Sequence, residues 1–94
     1  MKQYLVNKNQ VIELLIESIS SEININKNQI NITEELANYG IDSVSSEMIV
    51  VELEEAYGVE IPTTILWDYP NIEEISEAIV KYIKNYRAEV PGYF

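Results

Sequence analysis

Apolar residues recur at helical spacing in three stretches of the chain. Val11, Ile12, Leu15, Ile16, Ile19 and Ile23 predict a helix from about Gln10 to Ile23, with Asn9 as its N-cap. A second helix is predicted over Ser43–Tyr57. It stops at Gly58, a residue suited to the left-handed C′ position. A third begins after Pro70, where Ile72, Ile75, Ile79, Tyr82, Ile83 and Tyr86 line one face. Asn71 can cap it, with Glu74 placed three residues on as in a capping box. Lys81, Lys84 and Arg87 suit the negative end of its dipole. Between the first two helices lies a long loop, Asn24–Asp42, with one turn expected around Thr33–Asn38. Between the last two, Thr63–Trp67 predicts a short helix that Trp67 and Tyr69 are expected to pack. Met1–Lys8 and Ala88–Phe94 read as frayed tails, and Pro91 and Gly92 block extension of the last helix. The expected fold is all-α: a small four-helix bundle of three long helices and one short one, with an Ile-rich core. It is a single domain spanning residues 1–94, its core about 9–87.

The second helix is unusual in carrying apolar residues on two arcs. At 3.6 residues per turn, Ile49, Val50, Leu53, Ala56 and Tyr57 share one arc, read as the core face. Val44, Met48 and Val51 form another, flanked by Glu47, Glu52, Glu54 and Glu55. Two readings of this second arc stand side by side. It packs beneath the Asn24–Asp42 loop, as side chains beside long loops do, or it is a face for partners. In the second case Met48 adapts to varied surfaces and the carboxylates meet basic groups on them.

Charge changes the picture next. Sixteen acidic and six basic residues give a net charge of −10. No basic residue stands between Lys27 and Lys81, and twelve carboxylates, Glu34 through Glu77, crowd that stretch. Such a chain repels nucleic acid and anionic lipid and is steered toward basic patches. Repulsion among acids that lack nearby partners in sequence should also weaken the fold at low salt. The chain has no Cys and no His. Disulfides, thiol nucleophiles, Cys or His zinc sites and histidine-based triads are thereby excluded. No D-x-[DN]-x-[DN]-G loop is present, so the acid pairs read as solvated faces and no metal site is expected. Met1–Gln10 lacks the apolar core of a signal peptide, and no apolar run is long enough to span a membrane. A cytoplasmic, monomeric protein without membrane insertion is expected.

The candidate chemistry lies at Tyr39-Gly40-Ile41-Asp42-Ser43-Val44, where the long loop meets the second helix. Gly40 permits a tight turn, Asp42 can cap the helix, and Ser43 falls in its first turn. An anionic group esterified there would meet unpaired N–H groups and the positive end of the helix dipole. Local physics alone leaves a second reading open, in which Asp42 and Ser43 form a plain N-cap. A Ser–Lys hydrolase would need a lysine near Ser43, and the nearest in sequence is Lys27, in another element.

The segment Tyr39–Val44 resembles the G-x-D-S-[LIV] signature of acyl carrier proteins. Leu36 stands where that family has an apolar residue, and Leu53-Glu54 and Tyr57-Gly58-Val59 resemble its Leu-Glu and Phe-Gly-Val. Ile61-Pro62 also follows the pattern. Leu66-Trp67-Asp68-Tyr69-Pro70-Asn71-Ile72 is similar to the L-F-D-Y-P-T-I stretch of polyketide-type carriers. The likeness covers roughly Glu34–Ile79. It departs from the pattern in the order Glu47-Met48, where many members have the aliphatic residue first. Ile49 stands where some β-branching carriers have Trp.

The resemblance implies a non-enzymatic carrier whose Ser43 is esterified with 4′-phosphopantetheine by a phosphopantetheinyl transferase. The arm holds acyl or polyketide intermediates as thioesters, Asp42 flanks the attachment point, and Ser43 is not a catalytic nucleophile. The implied partners are that transferase, ketosynthase, acyltransferase and other acyl-processing enzymes with basic patches. Val44, Glu47, Met48, Val51, Glu52 and Glu55 are the docking candidates. Met1 and the complete helix set lead to the expectation of a free-standing protein. Alternatives are a peptidyl carrier, which usually has G-G-x-S, a D-alanyl carrier, and an unmodified acidic helical adaptor.

Overall fold

The computed structural model describes residues 6–89. Helix α1 spans Lys8–Ile23, α2 Ser43–Tyr57, α3 Ile65–Asp68 and α4 Ile72–Glu89. Single 3₁₀ turns lie at Lys27–Gln29 and Leu36–Tyr39, and no β-strand occurs among the described residues. Helix α1 packs against both α2 and α4, and α3 packs against α4.

Helix α1 starts two residues before the expected point. Asn7, not Asn9, is the N-cap, and its side chain accepts from the Gln10 N–H at 2.9 Å. The reason is the neighbour of each asparagine. Val6 precedes Asn7 and is buried in the same core cluster as Val11. That pair has the N′ and N4 spacing of a hydrophobic staple, which Asn9 lacks because Lys8 precedes it. Residues 6–8, expected to belong to a tail, are therefore tied down. Lys8 Nζ also reaches Glu77 Oε1 at 2.9 Å and Glu73 Oε2 at 3.8 Å. The expectations for Met1–Leu5 and for Val90–Phe94, Pro91 and Gly92 included, fall outside the described residues, whereas Ala88 and Glu89, expected to begin a tail, continue α4. At its other end α1 closes on Asn24 in left-handed conformation (φ 58°), whose N–H donates to the Ser20 carbonyl.

Helix α2 occupies the expected residues, capped by Asp42 and closed by left-handed Gly58. Helix α3 begins two residues later than expected. Thr63 and Thr64 form a turn, because the Pro62 carbonyl accepts from Ile65 and the Thr64 carbonyl from Trp67 and Asp68. Helix α4 begins where Asn71 Oδ1 accepts from the Glu74 N–H at 2.8 Å.

The core joins Val11, Leu15 and Ile19 of α1 to Ile49, Val50 and Leu53 of α2, Ile65 and Leu66 of α3, and Ile72, Ile75, Ile79 and Ile83 of α4. Leu36, Ile41, Val59 and Ile61 close it from the loops. Four expected packing residues lie outward instead. Trp67 is 50% exposed, and Tyr69, Tyr82 and Ala56 are exposed as well. In α3, four residues long, Ile65 and Leu66 fill the space beneath the helix and the aromatic side chains stay on its rim.

Candidate functional site

Four residues turn the chain from the long loop into α2. Gly40 closes the 3₁₀ turn at φ 72°, the left-handed region, and a Cβ there would meet nothing within 4 Å. Glycine is thus favoured by torsion and not by crowding. Ile41 is buried and anchors the segment to the core. Asp42 follows in extended conformation, and its Oδ1 accepts from the Ser45 N–H at 2.8 Å. The Ser45 N–H, helped by the Ser45 hydroxyl, holds the Asp42 carboxyl below its ordinary range. Ser43 is the first residue of α2 and is exposed.

The neighbouring serines differ from it. Ser46 is buried, its hydroxyl donating to the Ser43 carbonyl at 2.9 Å, and Ser45 is half-buried. Of the three, Ser43 is the most exposed. The helix end is less empty than the residue pattern implies. Asp42 takes the Ser45 N–H through its side chain and the Ser46 N–H through its carbonyl. A phosphodiester on Ser43 would therefore share the positive helix terminus with the Asp42 carboxylate.

The loop ahead of Gly40 is hung from the start of α4. The Leu36 N–H donates to the Pro70 carbonyl at 2.8 Å, and the Glu73 N–H to the Ile32 carbonyl at 3.1 Å. Glu35 and Asn71 form an antiparallel bridge. Asn31 is the hub of the loop. Its N–H donates to the Tyr39 hydroxyl at 2.7 Å, its carbonyl accepts from that hydroxyl at 3.2 Å and from the Glu34 N–H, and its Oδ1 accepts from both Thr33 N–H and Thr33 Oγ1. Tyr39 stands directly before Gly40 and its ring packs against the core. Sequence reading assigned neither residue a role. The signal available was a tyrosine immediately ahead of the motif glycine and an Asn-Ile-Thr able to form an Asx turn.

The outer face of α2 is uncovered. Val44 is 68%, Met48 45% and Val51 39% exposed, so the loop does not pack over this arc. Glu47 and Glu55 beside it are exposed, and Glu52 is half-buried with Oε2 out of reach of water. Glu54 turns to a structural task instead: its Oε2 accepts from the Ile61 N–H at 2.8 Å and holds the chain after α2. Among the described residues no group of three or more acids could hold a metal ion. No described helix is long and apolar enough to cross a membrane.

Comparison with known proteins bears on this geometry. The family model described as the phosphopantetheine attachment site matches residues 13–79. The chain is 27% identical over 77 residues to an acyl carrier protein of Phytoplasma mali, covering 81% of this chain and 92% of the relative. It is 31% identical over 67 residues to 5-methyl-1-naphthoate synthase of Streptomyces sahachiroi, covering 71% of this chain but only 4% of that much longer protein. Its fold superposes on a free-standing peptidyl carrier protein from Acinetobacter baumannii with a TM-score of 0.77 and 25% identity, over 82% of this chain and 96% of that one.

Proposed function

Because the chain belongs to the phosphopantetheine attachment-site family, we propose that Ser43 is where it takes the arm and that α2 is where enzymes read it. Its prosthetic group is 4′-phosphopantetheine, and the protein is a carrier that tethers acyl intermediates. When bound, the group supplies the thiol that this Cys-free chain lacks, and a thiol forms thioesters that are readily made and exchanged. The protein's own residues hold and present. Asp42 keeps the start of α2 wound, Gly40 and Ile41 set the approach of the chain, and Ser43 offers its hydroxyl outward.

The observation that carries the assignment is the exposure of Ser43 at the first position of a helix whose other early serines, Ser45 and Ser46, are half-buried and buried. In the loading step, Ser43 Oγ bonds to the phosphorus on the pantetheine side of coenzyme A. The pyrophosphate P–O bond breaks, and adenosine 3′,5′-bisphosphate leaves with the bonding pair. The hydroxyl proton passes to a general base.

Incubation of the protein with a promiscuous phosphopantetheinyl transferase and coenzyme A should add one phosphopantetheine, located on Ser43 by peptide mass mapping. Ser43→Ala should fold with unchanged helix content and gain nothing. Modification of the alanine variant would transfer the role to Ser45 or Ser46, of which Ser45 is the more open. An unmodified wild type would leave the acidic adaptor as the better reading.

Carriers of this family work with synthase-type enzymes. For this chain the docking reading adds detail: a ketosynthase, an acyltransferase and the transferase itself would meet Val44, Met48 and Val51 through apolar contacts. They would meet Glu47, Glu55 and the exposed edge of Glu52 through lysines and arginines. The chain is read as one carrier domain, monomeric in solution. The similarity to a peptidyl carrier keeps an aminoacyl cargo as a second reading. Loading of the holo protein by acyltransferases against amino-acid-activating enzymes separates the two.

A further inference from the structure

We infer that the Tyr39 hydroxyl is a positioning group for the loading of Ser43: it clamps the loop that delivers the attachment serine to the start of α4. The inference rests on the assignment of Ser43 as the attachment site.

The physical chain is short. Tyr39 ends the 3₁₀ turn, and only Gly40, Ile41 and Asp42 separate it from Ser43. Gly40 lies in the left-handed region, where glycine moves freely. The direction in which Asp42 and Ser43 leave the loop therefore depends on what fixes the chain on either side of that swivel. On the far side Ile41 is buried and α2 is packed. On the near side the chain is held at Leu36, whose N–H donates to the Pro70 carbonyl, and, directly before the glycine, at Tyr39. Its ring packs on the core, and its hydroxyl makes two contacts with one residue, accepting from the Asn31 N–H at 2.7 Å and donating to the Asn31 carbonyl at 3.2 Å. Asn31 is itself held, because Thr33 bonds to its side chain and the next carbonyl, that of Ile32, accepts from Glu73 in the first turn of α4. One phenol oxygen thus adds, beside the Leu36–Pro70 bond, a second tie between the residues ahead of Gly40 and a helix whose Ile72, Ile75 and Ile79 are fully buried.

A group that acts this way leaves a specific trace. Transfer of a phosphoryl group depends steeply on the position of the attacking oxygen. Docking depends on the outer face of α2, which Tyr39 does not form. Removing the hydroxyl should therefore slow transfer at saturation without weakening encounter.

The experiment compares wild type, Tyr39→Phe, Asn31→Ala and the control Tyr82→Phe, which deletes an exposed phenol on α4. With coenzyme A and a promiscuous transferase, kcat and KM for the carrier are measured well below the melting temperature. In parallel, amide hydrogen exchange is followed at Asn31 and over residues 40–43. For Tyr39→Phe we expect kcat to fall on the order of 3- to 10-fold, KM to stay within about twofold, and exchange to quicken at Asn31 and residues 40–43. Asn31→Ala should shift both readouts in the same direction, and Tyr82→Phe neither. If wild type is loaded at Ser43 and Tyr39→Phe keeps the wild-type kcat, the positioning role is overturned and the attachment site stands. If wild type is not loaded at Ser43, the attachment assignment fails and the positioning role goes with it; unchanged exchange in Tyr39→Phe would remove the clamp as well. Should Tyr39→Phe not fold, hydrogen exchange of the wild type decides: an Asn31 amide that exchanges as fast as the exposed loop amides around it shows that the hydroxyl does not hold it, and overturns the inference.

Discussion

Helices α2 and α4 are similar in length and both mix isoleucine, valine and glutamate, yet they meet solvent in opposite ways. Helix α4 gathers Ile72, Ile75, Ile79 and Ile83 into one fully buried stripe. Its early acids are partly neutralised within the chain, since Lys8 engages Glu73 and Glu77. Helix α2 buries Ile49, Val50 and Leu53 on one side and leaves Val44, Met48 and Val51 on the other. Glu47, Glu52 and Glu55 are not among the acids that Lys8 and Lys27 engage. A helix built only for stability resembles α4. Exposed apolar surface ringed by acids gains nothing in the isolated chain, and its energy is realised only when a partner covers it.

The sharpest way to break this contrast is to truncate one residue on each face. Leu53→Ala should destabilise the protein by about 2–5 kcal/mol, as does Ile79→Ala on α4, because both leave cavities in a closed core. Met48→Ala should change stability by less than about 0.5 kcal/mol while slowing transferase loading. Chemical denaturation of the three variants checks the first claim. An unfolding free energy for Met48→Ala that fell as far as that of Leu53→Ala would place the outer face in the core.

Charge reversal is the next test. Glu47→Lys with Glu55→Lys should lower the loading rate, mostly through association, and the loss should shrink as salt rises. Reversing Glu73 and Glu77 is a poor control, because it sets lysines against Lys8 and disturbs the N-terminal end of α1. Glu13→Lys with Glu60→Lys changes the net charge equally at exposed positions outside α2. Equal losses in the two double variants would mean that bulk charge alone steers association.

A smaller effect follows from the uneven pairing of the acids. Moderate salt should raise the melting temperature by a few degrees by screening the acids around α2. The Glu47/Glu55 reversal should remove most of that salt dependence. The twelve carboxylates between Lys27 and Lys81 look unpartnered in sequence, but Lys8 folds back onto two of them, which lessens the expected repulsion. A melting temperature indifferent to salt would show that the remaining acids are too far apart to matter.

The smallest contrast lies at the two N-caps. Asp42 caps α2 and Asn71 caps α4, each accepting an N–H at 2.8 Å. Only the first titrates. Its carboxyl is held below the ordinary value of 3.8 in the folded chain. The stability it contributes is therefore present above the unfolded value and is lost as pH falls through the folded one. The Ser45 amide resonance should follow that titration with a midpoint below 3.8, and Asp42→Asn should abolish it with helix content preserved. A midpoint at or above the ordinary value would mean that the cap bond does not hold the charge.

Helix existence was legible because it depends on local spacing. The isoleucine stripe of α4, the bounds of α2 between Asp42 and Gly58, and the cap at Asn71 all follow from side-chain periodicity and from residues with strong backbone preferences. The turn from Gly40 to Ser43 was legible for the same reason, since Gly40 and Asp42 have conformational roles set by their immediate neighbours. The start of α1 was not. Asn7 and Asn9 are equally good caps locally, and burial of Val6 decides between them. The outward placement of Trp67 depends likewise on how α3 sits on α4, which no local pattern encodes.

By itself, then, the sequence determined an all-α chain, an acidic and cysteine-free surface, and a serine at a capped helix start, because each follows from composition or from residues within one turn of one another. Tertiary structure decided three other matters. It left Val44, Met48 and Val51 uncovered, it brought Lys8 to Glu73 and Glu77, and it tied Tyr39 through Asn31 to the start of α4. Each of these joins or parts segments far apart along the chain. Their free energy comes from the packing of α1, α2 and α4 around a shared core, which exists only once the helices have met.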